Sequence, residues 1–164
     1  MDNEAVYSFR LEMPRQKAWE KLKDFTLAPN YVPGVKSVKI MTDKKEGVGA
    51  SRRVFPKKMD ETVVEWNEGY GFILKLHKGT GGPPFPFSKA GFRYAITEDG
   101  NRTKFTVGLM YDMGMGPLGA IMNRLFLGKI IEGIVRDIGL CLKHFYETGE
   151  PVTPRILKSI KRRG

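Results

Sequence analysis

The chain has 164 residues, 41% of them hydrophobic and 28% charged, with a formal net charge of +10. That is one domain's length, with enough apolar material for a sizeable core and too much of it for a disordered chain. A single cysteine, Cys141, excludes an intrachain disulfide and fits a reducing compartment. The longest apolar stretch, 118–146, is interrupted by Arg124, Lys129, Glu132, Arg136 and Asp137, which argues against a membrane span.

The first thirteen residues, MDNEAVYSFRLEM, carry acids where a secretory leader needs a basic start and an apolar core. A cytoplasmic location is therefore expected. Residues 4–12 alternate, with Tyr7, Phe9 and Leu11 on one face and Ser8, Arg10 and Glu12 on the other, which predicts a half-buried strand. Pro14 suits a helix first turn, and Ala18, Trp19, Leu22 and Phe25 follow at helical spacing, so 14–25 reads as an amphipathic helix. Residues 27–34 hold two prolines and a glycine and read as a turn or short helix.

Strand-like runs follow at 35–42, 47–56, 60–67 and 71–78. In the third, alternation places Thr62, Val64 and Trp66 inward, opposite Glu61 and Glu65. In the fourth, Phe72, Leu74 and Leu76 oppose Lys75 and His77. After the irregular loop GTGGPPFPF, residues 88–97 put Ala90, Phe92, Tyr94 and Ile96 on one face. Residues 98–102 form a turn. Residues 102–112 put Phe105, Val107, Leu109 and Tyr111 on one face. Short connections between consecutive strands favour an antiparallel sheet.

From about 117 to 147 the period becomes helical. Leu127, Ile130, Ile131, Ile134, Ile138, Cys141, Leu142 and Phe145 form one stripe, which the apolar face of the sheet should cover. Upstream the stripe thins to Ala120 and Asn123, while Leu118, Ile121, Met122 and Leu125 form a second stripe on the opposite side. The start of the helix either caps a cavity mouth and exposes an apolar patch, or is a kinked helix wedged under the Pro-rich loop, with Gly128 permitting a bend. Gly119, Gly128, Gly133 and Gly139 share no face. Residues 155–164 hold five Lys or Arg and no acid, and without them 23 basic residues face 18 acidic ones. The segment reads as a flexible basic tail after a domain spanning 1–154, either simply solvated or touching an anionic membrane or RNA.

Catalytic motifs are sparse. Gly114-Met-Gly116-Pro-Leu-Gly119 matches a dinucleotide fingerprint, but no strand follows the helix to complete the βαβ unit. His77 and His144 read as surface residues. No Cys/His spacing suits a metal, and the strand carboxylates fall on solvent faces. Neither a cofactor nor a DNA partner is expected. The inward Trp66, Tyr94 and Tyr111, with Thr62 and Asn123, describe an apolar cavity carrying a few polar groups, unless they are simply core.

Three stretches carry a family resemblance: Pro14–Phe25 with Asn30-Tyr-Val-Pro-Gly-Val-Lys-Ser-Val; Gly47-Val-Gly-Ala-Ser-Arg; and Gly116-Pro-Leu-Gly leading to Leu142-Lys-His-Phe-Tyr-Glu-Thr-Gly-Glu-Pro. Over roughly 4–150 the chain resembles the START-like, birch-pollen-allergen-like (SRPBCC) superfamily with its polyketide cyclase/dehydratase-like members. The resemblance implies an α+β helix-grip fold, a curved antiparallel sheet of six to seven strands wrapped around a long C-terminal helix. It also implies a cavity for a lipid, polyketide or quinone-like molecule. The expected lining is Tyr31, Thr62, Val64, Trp66, Phe72, Leu74, Phe92, Tyr94, Tyr111, Ala120, Asn123 and Leu127. Binding or carriage is the leading expectation. A cyclase/dehydratase-like enzyme using Tyr94, Tyr111 or Arg52, and an interaction module contacting membrane or ribosome through the basic tail, are the alternatives.

Overall fold

A computed structural model describes residues 1–163. The strands are β1 (Asn3–Leu11), β2 (Ser37–Ile40), β3 (Ser51–Phe55), β4 (Met59–Asn67), β5 (Gly71–His77), β6 (Phe87–Asp99) and β7 (Arg102–Met113). They form one antiparallel sheet in the order β1-β7-β6-β5-β4-β3-β2. Between β1 and β2 lie α1 (Arg15–Leu22) and a 3-10 turn (Phe25–Asn30). Asp24 starts that turn by accepting from the Thr26 amide at 3.0 Å. After β7 come α2 (Gly116–Met122), a π turn (Asn123–Leu127), α3 (Gly128–Thr148) and α4 (Pro154–Arg163). This is the helix-grip architecture, a curved sheet closed by the long C-terminal helix.

The register builds the inner face from the alternating residues. Phe72 pairs with Tyr94, Leu74 with Phe92, Tyr94 with Val107, and Ala90 with Tyr111. The alternation breaks at two points, at Ser88 near the start of β6 and within β4. A bulge at Val64 lies between the pairs Val63–Leu74 and Glu65–Ile73. One extra residue reverses the facing of everything before it relative to everything after it. Glu61 and Val63 therefore face inward and are buried, while Thr62 and Val64, expected inward, stand on the convex face. Thr62 there donates to Ser51 and pairs with His77 Nε2 at 2.8 Å, and Val64 is exposed.

Helix α3 lies over β1 and β7. Gly139 makes this close approach possible, because a Cβ there would fall 2.3 Å from Tyr7 Cδ1 and 3.2 Å from Phe9 Cε1. The helix buries Ile131, Val135, Ile138, Cys141, Leu142, Phe145 and Tyr146. Ile130 and Ile134, expected in the buried stripe, are exposed, because the helix presents a face centred on Val135 to the sheet. Upstream, Leu118, Ile121 and Leu125 of the second stripe are exposed, as is Phe126, on the segment that carries the π turn.

The basic C-terminal segment is helical. Leu157 packs against the core, and Lys161 Nζ lies 2.9 Å from Asp137 Oδ2 of α3. Gly164 is outside the described residues. Among the described residues no helix is long and apolar enough to cross a membrane.

Candidate functional site

The β3–β4 hairpin carries consecutive arginines opposite consecutive acids. Neighbours on a strand face opposite sides, so one charged pair forms on each side of the sheet. On the convex side Arg53 grips Asp60 through two bonds, 2.6 and 2.9 Å long. The hydrogen bond from Arg53 holds the Asp60 carboxyl below its ordinary range, aided by the Gly79 amide. On the concave side Arg52 Nε and Nη2 both lie 2.6 Å from Glu61 Oε2, and Nη1 donates to the Phe25 carbonyl at 2.8 Å. The guanidinium also sits 5.1 Å from the centre of the Phe25 ring. Arg52 is only 3% exposed. Burial is the largest single influence and opposes its charge, but the Glu61 carboxylate, through its charge and its hydrogen bond, together with the Tyr31 and Tyr94 phenols raises the pKa on balance.

Three tyrosines surround this pair electrostatically: Tyr31 from the segment after α1, Tyr94 from β6 and Tyr146 from α3. All are buried, and burial pushes all three phenols up, so they remain neutral donors. The Tyr146 hydroxyl has no hydrogen-bond partner. Tyr31 packs at a right angle against it with centroids 5.8 Å apart, and its hydroxyl is near enough to act on that of Tyr146 while falling outside ordinary hydrogen-bond geometry. Buried phenols normally find a partner, so this orphan marks a place where a polar atom belongs.

The floor beside the cluster is a continuous aromatic layer. Trp66 stacks on Phe72 at 5.5 Å, Phe72 meets Tyr94 at 5.3 Å, and Tyr94 meets Phe105 at 6.4 Å. On the other side of Tyr31, away from the layer, the surface is indented. A cleft of about 310 Å³ is bounded by Tyr31, Val35, Cys141, Val152 and Leu157. That volume is at the small end of ordinary ligand pockets, roughly 300–1,000 Å³. Toward α2, the inward-facing Phe87, Phe92, Met113 and Leu127 are only partly buried.

The expected lining residues divide accordingly. Tyr31, Phe72, Leu74 and Tyr94 are buried together around the polar cluster or in its floor. Trp66 lies at the rim, where its indole and that of Trp19 share the Glu68 carboxylate at 2.7 and 2.9 Å. Tyr111 and Asn123 satisfy each other at 2.9 Å, and Asn123 also donates to Asn3 Oδ1, so that pair is a strut beneath the π turn. Ala120 is exposed instead of lining a cavity, because α2 turns Gly119, not Ala120, toward the end of β7. Thr62 and Val64 are on the wrong face, for the reason given above. Glu61 and Tyr146 were missed. The repeated pairing of two arginines with two acids across one hairpin was the available signal for Glu61, whereas Tyr146 carried none. Among the described residues no group of three or more His, Cys, Asp or Glu side chains is placed to hold a metal.

A seven-stranded grip around a helix, with a polar cluster buried against an aromatic layer, defines a fold with the generic capacity to cradle a small hydrophobic ligand between sheet and helix. The profile of the "Polyketide cyclase / dehydrase and lipid transport" family matches residues 4–140, and the chain belongs to that family, within the SRPBCC superfamily. Solved structures share the fold. Ara h 8.0201 is 18% identical over 85% of this chain and 97% of its own, with a TM-score of 0.60. Truncated norcoclaurine synthase from Thalictrum flavum is 11% identical over 87% and 92%, with a TM-score of 0.63. DynU16, from the dynemicin biosynthetic locus, is 18% identical over 92% of this chain and 49% of its own, with a TM-score of 0.59. No curated protein matches the sequence.

Proposed function

We propose that this protein binds and carries a small hydrophobic molecule with an uncharged oxygen at one end. The apolar body lies on the aromatic layer between the sheet and α3. The oxygen accepts from the tyrosine hydroxyls near Arg52, and the cleft at Tyr31 is the way in. The observation that carries this reading is the Tyr146 hydroxyl, buried without a partner beside a closed ion pair. Because Arg52 is already neutralised by Glu61, the site offers neutral donors without net charge. A carboxylate ligand would have to break that pair and bury an uncompensated charge, whereas a ketone, quinone or ester oxygen would not.

Native mass spectrometry after mild purification tests the reading, followed by titration with an uncharged quinone or polyketide ketone and with a fatty acid. The expected outcome is retained mass, or binding that favours the uncharged probe. Tyr146→Phe should weaken that binding by about 1 kcal/mol, the ordinary worth of one hydrogen bond. Failure of the chain to bind either class of probe would overturn it.

A cyclase/dehydratase-like reaction is the second reading, favoured by the nearness of Tyr94 to the Arg52–Glu61 pair. A phenol held neutral there would stabilise a developing enolate oxygen by donating a hydrogen bond. Turnover of a carbonyl substrate, lost in Tyr94→Phe, separates this reading from simple carriage.

A further inference from the structure

The structure assigns a second surface to the protein: the exposed flank of α2, the π turn and early α3, together with α4, docks on an anionic lipid bilayer. Leu118, Ile121, Leu125, Phe126, Ile130 and Ile134 are each between 49% and 67% exposed, and all fall within seventeen residues of one helical segment. Soluble domains rarely leave so many large apolar side chains uncovered in one place.

Charge identifies the occupant. Cations stand along the same helical segment at Arg124, Lys129 and Arg136, all exposed, against Glu132 and Asp137. Asp137 is already taken by Lys161 of α4, at 2.9 Å. That contact fixes α4 beside the stripe, since Asp137 lies one turn beyond Ile134. Leu157 of α4 shares a cleft with Cys141, two turns beyond Ile134 on the same flank. Helix α4 then presents Arg155, Lys158 and Arg162 to solvent, with Ile156, Leu157 and Ile160 turned partly inward. Aliphatic side chains flanked by unopposed cations match the interface of an anionic bilayer, where the apolar groups enter the acyl boundary and the cations meet the headgroups. RNA would use the cations but not an aliphatic stripe. Its recognition by stacking needs aromatic platforms, and the stripe has one, Phe126.

Co-sedimentation of the full chain with phosphatidylcholine vesicles, with and without phosphatidylserine, tests this surface. Binding is expected only when phosphatidylserine is present and should weaken as salt rises. Lys158→Glu/Arg162→Glu should reduce it by more than about tenfold, since each cation near an anionic surface changes affinity by about fivefold. Phe126→Ser/Ile130→Ser should reduce it while leaving the circular dichroism spectrum unchanged, because both side chains are already in solvent. No sedimentation with anionic vesicles, or sedimentation indifferent to both double substitutions, would overturn the proposal. So would binding to polyuridylate without binding to vesicles, or self-association through the stripe in solution without vesicle binding. None of these measurements depends on whether the inner hollow holds a ligand, so the two proposals fail separately.

Discussion

Arg52 and Glu61 form a charged pair on the concave face of a hydrophobic sheet, and such a pair is tolerable only while both members are present. Glu61→Leu leaves the guanidinium buried and unmatched and should cost about 3–5 kcal/mol in urea unfolding, whereas Arg52→Met/Glu61→Leu should recover most of that loss. Recovery of stability without recovery of ligand binding would place the pair in the site rather than in the scaffold. On the opposite face Asp60 gives a pH signature. Its folded pKa lies below the ordinary 3.8, so the stabilisation is complete above that value and fades as pH falls through the lowered one. The urea midpoint of the native chain should therefore drop more steeply below about pH 4 than that of Asp60→Asn. The charges of this hairpin were legible as a pattern. Their facing was not, because strict alternation sent Glu61 outward and a single bulged residue sent it inward.

Helix α3 is held by shape as much as by apolar area. Gly139 faces Tyr7 and Phe9, while Gly133 has nothing within 4 Å of where a Cβ would stand. Gly139→Ala should destabilise by about 1–3 kcal/mol by forcing the helix off β1, and Gly133→Ala should stabilise by up to about 1 kcal/mol through helix propensity alone. Thermal melts of the two variants should move in opposite directions. In the sequence both residues are glycines in a helical pattern, and only the neighbouring strand distinguishes them. Gly119 has a third reason, since a Cβ there would meet the Gly114 carbonyl at 1.9 Å. The helix itself was legible from its period, as were α1 and the inward faces of β1, β5, β6 and β7. The exposure of Ile130 and Ile134 was not, because a 3.6-residue period specifies a stripe but not which edge of it meets the sheet.

Across the whole molecule, α4 closes one side of the cleft over Cys141. Burial, with Asp137 adding to it, pushes that thiol up to about 12, so at neutral pH it is protonated and covered. Iodoacetamide should label Cys141 only upon unfolding, and removal of residues 154–164 should speed labelling while circular dichroism shows the sheet intact. Slow labelling in the shortened chain would mean that α4 is not the cover. The amino-acid order alone determined the architecture: an alternating strand, an amphipathic helix, a meander of strands and a long helix can bury their apolar faces together in few ways, and local periodicity is enough to write that order down. Tertiary structure decided where the chemistry lies. The bulge at Val64, the π turn before Gly128 and the contact of Gly139 with β1 are each set by long-range packing, and a shift of one residue or a fraction of a helical turn there chooses which side chains face the concave side of the sheet.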